Sequence, residues 1–136
     1  MLSTMTAKKN KTAFFVPMLL PGMNDIVAYS KIRKGNWSAY ADLKAKIERD
    51  LCLFIREQRI GKFIVPIWLR FVWYEKNRRR DPDNICAGGR KFILDSLVTE
   101  GVIKNDGWKQ IAGWRDSFEV SPQKPGVYVS IEEAKN

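Results

Sequence analysis

The chain has 136 residues, 45% of them apolar and 29% charged, which suits one packed domain and argues against global disorder. Lysine and arginine number 24 against 15 aspartates and glutamates, so the chain carries a formal charge of +9 and favours an anionic partner, nucleic acid or a membrane surface. It has no histidine, which excludes Ser-His and Cys-His triads, histidine-ligated zinc and histidine general bases. Any catalysis must run on carboxylates, lysine, hydroxyls or a metal bound through oxygen.

No apolar run reaches about 18 residues, so no membrane span is expected. The opening MLSTMTAKKNKTAFFVP sets basic residues before a short apolar run broken by Pro17 and Pro21. It lacks a small-residue cleavage site and is a poor signal peptide. Residues 1–11 read as a frayed basic lead-in, and 12–136 as the domain. Cys52 and Cys86 stand apart and neither belongs to a CxxC, which fits a reducing cytoplasm. Cys52, among Leu51, Leu53 and Phe54, reads as core.

In chain order, Ala13–Leu20 predicts a first strand, stopped by Pro21-Gly22. Gly22–Gly35 reads as a loop carrying Lys31, Arg33 and Lys34. From Asn36 the spacing of Trp37, Tyr40, Leu43, Ile47, Leu51 and Phe54 predicts a helix, capped by Asn36 or Ser38 and ending near Ile60-Gly61. Its polar face carries Lys44, Lys46, Arg49 and Arg56. Ile64–Tyr74 alternates: Val65, Ile67, Leu69, Phe71 and Trp73 share one face, and Trp68 and Arg70 point the other way. A second helix is expected over Asn84–Glu100, with Phe92, Ile93, Leu97 and Val98 toward the core and Gly101 as its stop.

Ala87-Gly88-Gly89 early in that helix costs roughly 1 kcal/mol per glycine. The cost calls for close approach of DNA, a metal or another chain, unless the helix starts only after Gly89. Asn105-Asp106-Gly107 is a turn. Strands are expected within Trp108–Val120 and over Val127–Ile131, joined by SPQKPG. Core packing is the default reading for Trp68, Trp108 and Trp114; exposed, they would serve a dimer or stack on unpaired bases. The order β-α-β-α-β-β predicts a single α+β domain with a mixed sheet and two helices packed on it.

The stretch RRRDPDN, Arg78–Asn84, concentrates the chemistry. Asp81 and Asp83 are two residues apart and share one side of an extended backbone, which Pro82 favours at Asp81. Two carboxylates about 5 Å apart repel by about 3 kcal/mol at an effective dielectric near 20. Hard oxygen ligands suit Mg2+, or Mn2+. The competing reading is a helix start, with Asp83 or Asn84 as cap and the acids complementing the dipole. Lys91 stands four residues before Asp95, an i,i+4 ion-pair spacing. Asp106, in the turn after the helix, is expected to return beside the neighbouring strand.

The run RRRDPDNICAGGRKFILDSLVTEGVIKND resembles the core of the RusA-type Holliday junction resolvases, phage and bacterial endonucleases acting on branched DNA. The matching residues are Asp81, Asp83 and Asn84, then Lys91, Asp95 with Leu97, Gly101 and Asp106. Pro21-Gly22-Met23-Asn24 is similar to the family's N-terminal loop, and the likeness runs from about Phe14 to Glu132. It implies that Asp81, Asp83 and Asp106 hold one or two magnesium ions and that Lys91 neutralises developing charge or assists the water. Asp95 would support Lys91. The spacing from Asp83 to Lys91 is longer than the family pattern by about one helical turn, which makes Arg90 the alternative cation. Asn105-Asp106 stands where the family often has two acids.

The expected DNA contacts are Asn24, Lys31, Arg33, Lys34, Lys76, Arg78, Arg79, Arg80, Asn84 and Arg90. A homodimer would supply two cuts to a two-fold junction. No small organic cofactor is expected, and the bacterial host cytoplasm is the expected location. The competing function is a basic DNA-binding protein whose acids only cap a helix. An RNA-binding module lacks its usual aromatic motifs here.

Overall fold

The computed structural model describes residues 11–134, so the expected lead-in lies outside the described residues apart from Lys11. The elements are β1 (Lys11–Val16), α1 (Met23–Ser30), a hairpin of β2 (Arg33–Lys34) and β3 (Trp37–Ser38), α2 (Ala39–Glu57), β4 (Ile67–Glu75), α3 (Pro82–Thr99), β5 (Ile111–Val120) and β6 (Gly126–Glu133). The main sheet has the order β1-β6-β4-β5. Only β4 and β5 run parallel; α3 is the crossover between them. This is the expected α+β class with a mixed sheet. Among the described residues no helix is long and apolar enough to cross a membrane.

The expected loop Gly22–Gly35 instead holds α1 and the β2–β3 hairpin. Asp25, at the third helical position, accepts from the Gly22 N–H at 2.9 Å and steadies the helix start. No residue of α1 is fully buried, so it lacks the apolar stripe that marks a helix in sequence. Ser38 caps α2 by accepting from the Ala41 N–H at 3.3 Å. β4 starts at Ile67 rather than Ile64 because Pro66 has no N–H for a ladder, and Ile64 is 91% exposed.

α3 runs unbroken through Gly88-Gly89, which overturns the delayed start. Both glycines answer close approaches within this chain. A Cβ at Gly88 would lie 2.6 Å from the Pro21 carbonyl oxygen, and one at Gly89 would lie 2.5 Å from the Trp73 ring. At the far end Gly101 takes φ +75, the left-handed conformation that ends a helix.

The core lies between one sheet face and helices α2 and α3. Phe71, Leu69, Val129, Ile131, Leu51, Ile55, Phe92, Ile93 and Leu97 are all buried there. Each such side chain contributes roughly 1.5–3 kcal/mol. The tryptophan assignment is corrected: Trp68 and Trp114 are both 43% exposed and Trp108 is 96% exposed. Trp68 alternates onto the sheet face without helices, Trp114 lies on the edge strand β5, and Trp108 sits in the loop before it.

Candidate nucleic-acid and metal site at the start of helix α3

β4 delivers the chain to a turn over residues 76–80, and α3 begins at Pro82 with Asp81 in the N-cap position. The three arginines of that turn have different fates. Arg80 grips the buried Glu75 with two hydrogen bonds, 2.9 and 2.8 Å, and donates to the Leu20 carbonyl at 3.0 Å. It is an internal counter-ion, which corrects its expected role on phosphate. Arg78 and Arg79 are exposed and, with Lys76, make no ion pair among the described residues. The Asn77 side chain accepts from the Arg79 N–H at 3.0 Å and shapes the turn.

Asp81 has the extended backbone of a cap residue, yet its carboxylate makes no capping hydrogen bond. Asp83 is equally free: both side chains are exposed and, among the described residues, have no hydrogen-bond or ion-pair partner. Neither Asp83 nor Asn84 is the expected cap: Asp81 takes that position, while Asp83 lies in the first turn, where its charge complements the dipole as that reading expected. The first N–H groups of α3 and the positive end of its dipole lie beside them. Asn84 accepts from the Asn24 N–H at 2.7 Å, across 60 positions of sequence. The Pro21–Asn24 segment and the Asp81–Asn84 motif thus meet. A hollow of about 240 Å³ opens alongside, lined by Glu75, Arg78, Asp81, Phe118, Glu119 and Val120.

The other expected members lie elsewhere. Lys91 is eight residues past Asp83, about 12 Å along the helix. It bonds Asp95 at 3.1 Å, and Asp95 also meets Lys44 at 3.5 Å. The Asp95 bond, helped by the field of Asp106, holds the Lys91 ammonium above the usual range despite partial burial. Glu48 joins this knot between α2 and α3. Burial pushes its carboxyl up, against the pull of Lys44 at 3.8 Å. Lys91 is thus held in the knot and away from Asp81 and Asp83.

Arg90, the alternative cation, is engaged too. One guanidinium nitrogen sits 2.8 and 2.6 Å from the Asp116 oxygens, and the group lies 4.4 Å over the Trp114 ring. Asp116 also accepts from the Trp73 indole at 2.8 Å. This partner was missed in the sequence, although one signal was legible: Asp116 interrupts the stripe Trp114, Phe118 and Val120 on β5.

Asp106 is at the wrong end of the sheet. In the parallel ladder Ile67 faces Ile111 and Glu75 faces Val120. Asp81 borders the Val120 end, and Asp106 borders a hollow with Ile111 and Trp114 at the other. Nine strand positions separate those ends, about 30 Å. Among the described residues no three His, Cys, Asp or Glu side chains are grouped to hold a metal ion. The expected set of Asp81, Asp83 and Asp106 does not form within one chain. Lys31, Arg33 and Lys34 are exposed along the α1 end and the β2–β3 hairpin.

No known protein family matches this sequence, and no curated protein matches it either. The donor chemistry alone decides the fit. Two exposed, unpartnered carboxylates suit a magnesium-like ion that completes its shell with water and phosphate oxygens. A site with three carboxylates from one chain is not supported.

Proposed function

We propose that the protein is a metal-dependent endodeoxyribonuclease that acts on four-way and related branched DNA. The observation that carries this reading is an N-cap aspartate that does not cap, next to an equally free Asp83. Asp81 and Asp83 would hold Mg2+ or Mn2+; when bound, the ion supplies Lewis acidity and a more acidic water. Lys76, Arg78 and Arg79 bind the phosphates that the carboxylates would repel. Asn84 fixes the first turn of α1 against the motif. Lys91 and Arg90 do not enter the chemistry. The setting is the cytoplasm of a bacterial host.

Symmetric cutting calls for a homodimer, and β5 offers the edge for it. It is ten residues long, has no strand on its outer side among the described residues, and exposes Trp114, Phe118 and Val120. Antiparallel pairing of two copies along β5 would bring Asp106 of one copy to the Asp81 end of the other. A mixture of Asp83→Asn and Asp106→Asn proteins would then regain cleavage that neither has alone.

The missing three-acid group favours one second reading, a basic DNA-binding protein without catalysis. Incubation of a synthetic four-way junction with Mg2+, beside linear duplex, separates the two. Wild type should nick the junction, and Asp83→Asn should bind it without cutting. A wild type that leaves every branched substrate intact in Mg2+ and Mn2+ removes the nuclease reading.

A further inference from the structure

Helices cover only one face of the main sheet. Among the described residues no helix covers the other face, and its residues follow from the strand register. Trp68 lies between Glu132 and Gly113; Arg70 lies between Ser130 and Arg115. Farther along, Phe15 pairs with Tyr128. Two rings press close on glycines of adjacent strands. A Cβ on Gly113 would meet the Trp68 ring at 2.5 Å, and one on Gly126 would meet the Phe15 ring at 2.6 Å. Phe15 stands edge-on to Tyr74 at 6.1 Å, with the Lys124 ammonium 5.2 Å from its ring.

Arg70 and Arg115 are directly opposite one another, both exposed, and neither has an acidic partner among the described residues. Like charges facing across a strand pair destabilise a sheet. The nearest acid on this face, Glu132, is taken by Lys11 at 4.0 Å. The arginines border a hollow of about 380 Å³ that also contains Trp68 and Ser130. A second hollow of about 270 Å³ contains Phe15, Tyr74 and Tyr128. Trp68 and Tyr74 are six residues apart on β4, about 20 Å.

We propose that this open face binds a single strand of nucleic acid, with a phosphate between Arg70 and Arg115, one base on Trp68, and a later base at the Phe15–Tyr128 end. Two arginines without counter-ions call for an anion. Flat aromatic rings at one level of the sheet and again about 20 Å on call for planar groups spaced along the same ligand. A free phosphate would leave the rings unused, and an acidic peptide would not stack on them. The surface is on the opposite side of the sheet from α3, so the inference does not rest on the nuclease reading.

The test is fluorescence anisotropy with a labelled oligothymidine of about 12 nucleotides, beside a duplex of equal length. Trp68→Ala should weaken single-strand binding about tenfold, and Trp68→Phe should restore most of it. Arg70→Ala and Arg115→Ala should each weaken binding and reduce the salt slope by about one. Lys46→Ala, which removes an exposed charge on α2 away from this face, should bind like wild type. Thermal melts matching wild type establish that the variants are folded. Unchanged binding by folded Trp68→Ala overturns the proposal. So does an equal loss on duplex, which marks a general anion patch. A shift in oligomeric state with strand binding intact would make the face a self-interface and also refute it.

Discussion

Gly88→Ala measures how tightly α3 is seated. In an ordinary helix interior the change would stabilise by about 1 kcal/mol. Here the new Cβ would lie 2.6 Å from both the Pro21 oxygen and the Gly22 carbonyl carbon, and 2.7 Å from the Met23 nitrogen; ordinary contact begins near 3.4 Å. All three are backbone atoms, pinned by the Ile26 N–H to Gly22 bond at 3.1 Å and the Asn24 to Asn84 bond at 2.7 Å. One element must retreat by most of an ångström. Overpacking of that kind costs about 1–3 kcal/mol. Loss of the Asn24–Asn84 bond adds about 1 kcal/mol. The net expectation is a loss of about 1–3 kcal/mol, or roughly 4–12 °C in Tm. Urea and thermal melts read it directly, with Gly61→Ala as control because nothing lies within 4 Å of a Cβ there. A Gly88→Ala protein melting at or above wild type would show that helix propensity decides the site and that the contact is not tight.

The turn arginines should separate. Arg80→Ala strands the 8%-exposed Glu75 and should cost about 3 kcal/mol in urea melts, while Arg78→Ala and Arg79→Ala should melt like wild type and lose DNA affinity. Asp116→Ala leaves Arg90 without its carboxylate under α3 and should cost a similar 3 kcal/mol or so, read in the same melts. Glu48→Gln should be more stable than wild type near pH 7. Burial raises the Glu48 carboxyl, so the stability tied to its proton is present below the ordinary glutamate value and lost as pH rises. The advantage should vanish in melts near pH 4, and an advantage independent of pH would refute that cause.

Periodicity exposed the elements that bury a stripe. α2, α3, β4 and β6 were legible because their apolar residues recur at helical or strand spacing. α1 was not, because it buries no residue fully. Proline moved two boundaries: β1 stops at Val16, ahead of Pro17, and β4 waits until after Pro66. The Asp81–Asn84 motif was readable as a unit, but its junction with Asn24, 60 positions away, was not. What no local pattern carries is which strands lie side by side and in which direction. The parallel crossover alone sends Asp106 to the far end, and Asp106 was the residue whose placement needed it. Nor can a run of three arginines reveal that Arg80 turns inward to Glu75 while its neighbours face water.

The strand β6 sits between β1 and β4, so the earliest and the middle strands meet only through it. On the ribosome, β1 has no sheet neighbour until residues 126–133 have emerged. Helices and a β4–β5 ribbon can form first, but the sheet closes late, by insertion of a strand into its middle. A nascent chain halted before that point would carry the whole Asp81–Asn84 motif and still lack the platform that holds it in place.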